Sequence, residues 1–378
     1  MSGQGPLVLA INPGAGSTKL ALYRGAAAGP GGGAPPSLVA EARVEHPELL
    51  ARPAARVWDE RPARLADVRA FLAAQGVQPG TARLAAVAGR GGLLPPVPAG
   101  AFLVDAPLLA DLEAAARGEH ASNLGAPLAA AVAAEHGAVA LIVDPVSVDE
   151  LSPVARVTGL AGVERRSFVH ALNLRAVARR HAGAAGRPLE ALRLVVAHLG
   201  TGISLAAFAG GRMIDVVNPQ DEGPFSGDRA GAVPAMALID LASSPGADPR
   251  RLKRALFGDG GLYSHLGTRD AREAVRRAAA DDARAALLLD AMAYQVAKAA
   301  GGLAAALEGR VDAVLLTGGL CHLPEVVEPV RRRVAFIAPV ALHPGEDELL
   351  ALAEGALAVL SGAAPARTYG GSVLSTDK

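Results

Sequence analysis

The stretch from Asn12 to Lys19, NPGAGSTK, gathers two glycines, two hydroxyls and one amine into a single short turn. Glycine lets backbone N–H groups come close to an anion and adopt positive φ, while Ser17, Thr18 and Lys19 add donors and charge. Contact with phosphate through Gly14, Gly16 and these side chains is the chemistry such a set can perform. A tight hairpin also needs glycine, with the lysine simply facing water, so a purely structural reading stands beside it. The spacing is neither that of a Walker A loop nor of a G-x-G-x-x-G fingerprint opening a helix. Two further turns of this kind follow: HLGTGIS, with His198, Gly200, Thr201 and Gly202, and TGGL, with Thr317, Gly318 and Gly319.

Each glycine turn ends an apolar strand. LVLAI precedes the first, and TKLALYRG alternates well enough to return antiparallel, which makes the turn a hairpin. LRLVVA, HLGTGIS, LAAFAG and RMIDVV repeat that pattern, and VDAVLL runs into TGGL. Gly16 and Gly202 are separated by close to half of the 378-residue chain, so a duplicated architecture with one glycine hairpin per half is the economical expectation. Between these landmarks, helices are expected around 65–75, 105–117, 123–135, 167–182, 269–308 and 347–361, and strands at LAAVAG and AVALIVDP. Residues 26–37, AAAGPGGGAPPS, read as a loose surface loop.

The length suits two domains with buried cores. Basic and acidic residues balance at 37 each, which gives no support to a nucleic-acid partner. Cys321 is the single cysteine, excluding an internal disulfide framework and a cysteine-rich zinc site and suiting a reducing cytoplasm. The apolar start near Leu7 lacks the basic flank of a signal peptide. The longest apolar region, Leu124 to Val143, is interrupted by Glu135, His136 and Gly137 and reads as a buried helix followed by a strand, not a membrane span.

Eight blocks occur in order: AINPGAGSTKLALY, GRGGLLPPVP, HASNLGAPLA, IVDPVSVDEL, ARVTGL, HALNLRAVAR, VAHLGTGIS and EGPFSGDRAG. They resemble the butyrate kinases, medium-chain members of the acetate kinase family, from the first strand to the final helix. The resemblance implies an α/β fold: the duplicated two-domain actin-like ATPase fold of acetate kinase type, with a nucleotide in the cleft between the domains. Residues 1–148 with 347–378, the C-terminal helix packed back, are expected as the first domain and 149–346 as a nucleotide-binding second domain. The implied activity is phosphoryl exchange between ATP and a short or branched aliphatic acid, giving acyl phosphate and ADP with Mg²⁺. The implied protein is cytoplasmic, binds a small carboxylate and a nucleotide, and forms a homodimer or larger homo-oligomer.

Phosphoryl transfer to a carboxylate demands charge neutralisation and in-line positioning rather than covalent help. The resemblance assigns Arg229 of SGDRAG to the transferred phosphoryl group and His170 of HALN to a hydrogen bond with one of its oxygens. Arg90, where a strand ends in GRGG, is placed to hold the acid's carboxylate, and His120 of HASNLG to line the substrate site. Asp144, at the C-terminal end of ALIVD, either orients the incoming carboxylate or caps its loop. Glu348, at the start of the last helix and close to Glu346, is expected near magnesium together with Asn12. Gly14, Ser17, Thr18, Lys19, His198, Gly200, Thr201 and Gly202 are expected on the phosphates, and Asp270, Arg272, Thr317, Gly318 and Gly319 near the rest of the nucleotide.

Ala15 and Gly16 stand where butyrate kinases usually carry hydroxyl residues, Thr201 stands where glycine is usual, and the run NPQDEGPFS before Arg229 is one residue shorter. Acetate or propionate kinase, a sugar kinase on the same fold, and a nucleotide-binding regulatory protein without catalysis are the competing readings. A sugar kinase needs an aspartate base for a hydroxyl nucleophile, whereas a carboxylate needs none.

Overall fold

The computed structural model describes residues 5–26, 35–51, 56–80, 84–220 and 222–371. Most of the loop expected at 26–37 lies outside them. The chain divides into two compact units, one running to Asp149 and resuming at Asp347, the other spanning Glu150–Glu346. In chain order the strands are β1 (Leu7–Pro13), β2 (Ser17–Arg24), β3 (Ser37–Glu45), β4 (Leu84–Arg90), β5 (Ala101–Leu103), β6 (Val139–Val143), β7 (Leu194–Leu199), β8 (Ile203–Ala209), β9 (Arg212–Val217), β10 (Ala313–Gly318), β11 (Val340–Pro344) and β12 (Ala366–Arg367).

The first unit carries a sheet in the order β12-β5-β6-β4-β1-β2-β3 and the second a sheet in the order β11-β10-β7-β8-β9. In each, an antiparallel meander (β1-β2-β3, β7-β8-β9) is extended on its first strand by two parallel strands (β4 and β6, β10 and β11). The two halves therefore share one five-strand topology, and the glycine turns Gly14–Gly16 and Gly200–Gly202 occupy the same place in it. Parallel register brings the C-terminal ends of β1, β4 and β6 to one edge, where Asn12, Arg90 and Asp144 lie. It does the same for His198 and Thr317, which are direct partners across β7 and β10.

Burial explains why these segments are strands. Leu7, Leu9 and Ile11 join Leu20, Leu22, Phe71 and Leu128 in one core, while Val8 and Ala10, on the opposite face, are equally buried. Strands covered on both faces read as continuous apolar runs. Each buried leucine contributes about 1.5–3 kcal/mol, which overrides the weak strand preference of the interleaved alanines. The helices Gly125–His136 and Glu348–Leu360 both pack on this sheet. In the second unit Val195, Ala197, Leu199, Leu205 and Ala207 meet Met292, Val296 and Leu303 of the helix Ala283–Ala306.

Several elements differ from expectation for local reasons. β3 was not foreseen: its exposure alternates along an edge strand and little of it is buried. The helix expected from 167 begins at Ala171, because the backbone of His170 before it is non-helical at ψ +59°, and Phe168 N–H donates to Asn218 Oδ1 at 2.8 Å. The stretch 269–308 breaks at Asp281, whose φ of +65° ends one helix, and Asp282 caps the next through Ala285 N–H at 3.0 Å. Leu124–Val143 is a helix and a strand as expected, separated by Gly137 at φ +63°. The helices Ala235–Ser243, Pro249–Leu256 and Pro324–Val334 and the strand β11 had no counterpart in the sequence reading. No helix among the described residues is long and apolar enough to cross a membrane.

Two predictions follow from this packing. A Cβ at Gly89 would overlap the carbonyl of Gly125, and one at Gly125 would overlap Arg90 backbone, so these glycines let the end of β4 touch the start of the helix Gly125–His136. Gly89→Ala is expected to cost about 1–3 kcal/mol by overpacking, read as a fall in Tm on thermal denaturation. Burial pushes the Cys321 thiol up to about 12, so the sulfur stays protonated, and therefore a poor nucleophile, at neutral pH. A thiol reagent at neutral pH should label the folded protein far more slowly than the unfolded chain, and equal rates would contradict this burial.

Candidate active site

In the first unit three long-range partners converge at the sheet edge. Asn12 Nδ2 donates to Glu348 Oε2 at 2.6 Å, and Arg90 Nη1 donates to the same oxygen at 2.7 Å and to Asn12 Oδ1 at 3.4 Å. Glu348 opens the last helix, where the dipole favours a carboxylate. Lys19 is the direct cross-strand partner of Asn12 and shares its face. Strand alternation puts Ser17 on that face and Thr18 on the other. Thr18 is thereby separated from the expected phosphate-facing set: its buried hydroxyl accepts from Arg64 Nη1 at 2.8 Å and contacts His46 Nε2 at 2.9 Å.

Asp144 has φ +38° and is buried. Its Oδ1 accepts from Gly100 N–H at 2.8 Å while its own N–H donates to Gly100 O at 2.9 Å. Of its two expected roles, loop capping is the one these bonds perform. His120 is exposed and caps the short turn Ala121–Leu124 by accepting from Ser122 N–H at 3.2 Å. Two side chains that the sequence reading missed hold the loop after Arg90. Asn123 Oδ1 accepts from Leu93 N–H at 2.9 Å, and Ser147 Oγ accepts from Leu94 N–H at 2.8 Å. Both lie inside the quoted blocks, HASNLG and VDPVSV, so the blocks were the available signal.

In the second unit the imidazoles of His170 and His198 stack with centroids 4.0 Å apart and planes at 21°. Asn173 Nδ2 donates to Glu346 O at 2.6 Å, which leaves Asn173 Oδ1 to accept from His198 Nδ1 at 2.9 Å. His198 Nε2 then lies 3.8 Å from Glu346 Oε1. Ser204 Oγ accepts from His170 N–H at 3.3 Å and lies 2.8 Å from His170 Nδ1. With the Ser204 hydroxyl donating to Nδ1, a neutral His170 carries its proton on Nε2 as a donor.

Arg229 belongs to this cluster despite the shortened run before it. A Cβ at Gly202 would sit 3.3 Å from both Arg229 Nε and His170 Cε1, so the bare turn lets guanidinium and imidazole lie against its backbone. Ser226 Oγ, also missed by the sequence reading, donates to Thr201 O and ties the Arg229 loop to the second glycine turn. Arg165 anchors the start of the run through Glu222 at 2.8 Å and Asp215 at 2.9 Å. Burial pushes the Asp228 carboxyl up, with Arg229 and Arg269 acting against it.

A cavity of about 660 Å³ in the same unit is lined by Gly200, Thr201, Asp270, Arg272, Gly319, Leu320 and Glu346, among others. Asp270 caps its helix through Arg272 N–H and pairs with the Arg272 guanidinium at 3.0 Å, which holds its carboxyl below the usual range. Gly318, at φ +98°, passes against Leu199 backbone where any Cβ would overlap, and Thr317 Oγ1 is occupied by Gly345 O at 3.0 Å. Gly319 thus faces the cavity while Thr317 and Gly318 shape it.

Among the described residues no group of three or more His, Cys, Asp or Glu could hold a metal ion. The Glu348 carboxylate and the Asn12 carbonyl are oxygen donors of the kind that serve magnesium when phosphates and waters complete its shell.

The Acetokinase family pattern matches residues 156–340. The chain is 40% identical over 363 residues, 96% of its length and 99% of the relative's, to a probable butyrate kinase 2 of Caldanaerobacter subterraneus subsp. tengcongensis. It is 43% identical over 364 residues, with 96% and 99% coverage, to a probable butyrate kinase of Coprothermobacter proteolyticus. Among solved structures, Porphyromonas gingivalis acetate kinase superposes with a TM-score of 0.74 at 20% identity, covering 94% of this chain and 100% of that one. Entamoeba histolytica acetate kinase does so with 0.70 at 16% identity, covering 92% and 98%. With matched sequence across nearly its whole length and the shared duplicated fold, the chain belongs to the acetokinase family.

Proposed function

We propose that this protein is an ATP- and magnesium-dependent carboxylate kinase of butyrate kinase type, interconverting a short or branched aliphatic acid and ATP with the acyl phosphate and ADP. The observation that carries the reading is the convergence of Arg229 and His170 on the bare backbone at Gly202. A cation, an imidazole donor and a glycine turn on one spot fit the spreading charge of a transferring phosphoryl group. The identity to probable butyrate kinases supports butyrate over acetate.

In the proposed reaction a carboxylate oxygen attacks the terminal phosphorus in line, the new O–P bond forms as the bond to the bridging oxygen breaks, and ADP leaves. The nucleophile is already an anion, so no general base is required. Arg229 and the Nε2 proton of His170 neutralise the phosphoryl oxygens. Arg90 holds the acid's carboxylate, and Asp144 and His120 shape the loops around it. Gly200, Thr201 and Gly202 receive the phosphates, with His198 buttressing His170, and the 660 Å³ cavity receives the nucleoside beside Asp270, Arg272 and Gly319. Glu348 and Asn12 would hold magnesium, which supplies further charge neutralisation when bound.

An apolar pocket gains only about 0.8 kcal/mol per buried methylene, so neighbouring acids are discriminated softly. Assembly as a homo-oligomer belongs to the same proposal. It is supported by the helix Ala235–Ser243, which buries no residue although Met236, Ile239 and Leu241 are apolar, and sedimentation would test it.

Incubation with ATP, magnesium and hydroxylamine, offering acetate, propionate, butyrate, isobutyrate and isovalerate in parallel, reads the acyl phosphate as hydroxamate. Greatest yield from the four- or five-carbon acids is expected, and Arg229→Ala is expected to lower kcat by about 10²–10³-fold. Acetate giving the greatest yield would move the assignment to acetate kinase, and no hydroxamate from any acid would refute the kinase reading.

A further inference from the structure

Arg64 is fully buried in the first unit, on the helix Arg61–Ala74, and was not among the candidate residues of the sequence. Its guanidinium lies beneath the first glycine turn. Nη2 donates to Gly14 O at 3.0 Å and to Ala15 O at 3.4 Å, and Nη1 donates to Ser17 O at 3.2 Å and to Thr18 Oγ1 at 2.8 Å. The remaining carbonyl of the turn, Gly16 O, accepts from His46 N–H at 2.8 Å. Glu60 Oε2 holds the guanidinium from behind, at 2.9 Å from Nε and 2.7 Å from Nη2. The position is thus determined from both sides.

A trans peptide points its C=O and N–H in opposite directions. Drawing the Gly14 and Ala15 carbonyls inward onto Arg64 therefore turns the N–H groups of Ala15 and Gly16 outward. Among the described residues neither of these N–H groups donates to another backbone group, whereas Gly14 N–H is spent on Ser17 O at 2.7 Å. Successive outward N–H groups form an anion-binding concavity.

We propose that Arg64 is a positioning residue that makes the first glycine turn an anion site by orienting its peptide planes, so that main-chain N–H groups at Ala15 and Gly16 bind a phosphoryl oxygen. The identity of the anion, a phosphoryl group, rests on the kinase reading. Glu60 balances the guanidinium's charge, so the contribution of Arg64 is orientation more than net potential. It also accounts for a turn that lacks hydroxyl side chains at 15 and 16: the donors are main-chain groups.

Lysine retains the charge but cannot span these carbonyls, methionine removes both, and proline at 15 deletes one outward N–H while leaving Arg64 in place. Arg64→Lys, Arg64→Met and Ala15→Pro would be compared with the unchanged chain for kcat and KM toward ATP and toward the acid, for pyrophosphate affinity by calorimetry, and for Tm. Arg64→Lys and Ala15→Pro are expected to lower kcat/KM for ATP and to weaken pyrophosphate about tenfold or more, with KM for the acid changed less than about twofold. A lowered Tm with both ATP and pyrophosphate values unchanged, measured below that Tm, would reduce Arg64 to a structural residue and overturn the proposal. If the Arg64 variants do not fold, Ala15→Pro decides alone, and unchanged pyrophosphate affinity there overturns it. Pyrophosphate binding without hydroxamate production by the unchanged chain would count against the kinase reading and not against the anion site.

Discussion

Parallel pairing of β1 with β4 and of β4 with β6, and of β7 with β10 and of β10 with β11, places the ends of distant strands side by side. The polar groups at the ends of these strands depend on it. Asn12 and Arg90 share one carboxylate, that of Glu348 at the far end of the chain, because β1 and β4 finish at the same edge and the last helix packs back over them. The same pairing in the second unit sets His198 opposite Thr317 and brings two of the glycine turns together. A strand interior is committed to apolar burial, so chemistry is confined to that edge.

At the edge the backbone itself becomes a working part. Gly318 must pass against Leu199, Gly89 against Gly125, and Gly202 must leave space for Arg229 and His170. These glycines permit close approach, while side chains buried behind the loops set the direction of each peptide. Ser226, Asn123 and Ser147 hold neighbouring loops as Arg64 and His46 hold the first turn. The donors offered to an anion are fixed from the interior of each unit, which costs no side-chain entropy at the surface when a ligand arrives.

The two units solve one topological problem with different polar partners. In the first, an arginine and an asparagine are drawn onto a carboxylate. In the second, an arginine lies with two stacked imidazoles whose orientation is set by Asn173 and Ser204. In the proposed function the cation of the first unit would serve the carboxylate substrate and the donors of the second the phosphoryl oxygens.

By itself the sequence determined the strands flanking the three glycine turns, the turns themselves and the duplication, since apolar runs interrupted by glycine are local signals that survive without tertiary context. The ordered blocks also marked Arg90, His170 and Arg229 as residues to watch, and the start of the last helix marked Glu348. Only the tertiary structure decided what each touches. Thr18, adjacent to Ser17 and Lys19 in the same motif, is turned away from them by strand alternation. Asp144 spends one carboxylate oxygen on Gly100. Arg64, on a helix of ordinary charged composition, carries no local sign that it reaches a turn nearly fifty residues earlier. Edge strand β3 and the exposed helix Ala235–Ser243 were equally illegible, because neither has a buried face to impose a period on its residues. Periodicity reports burial, and burial is what a sequence can express locally; the pairing of polar groups across long separations is decided only when the sheets close.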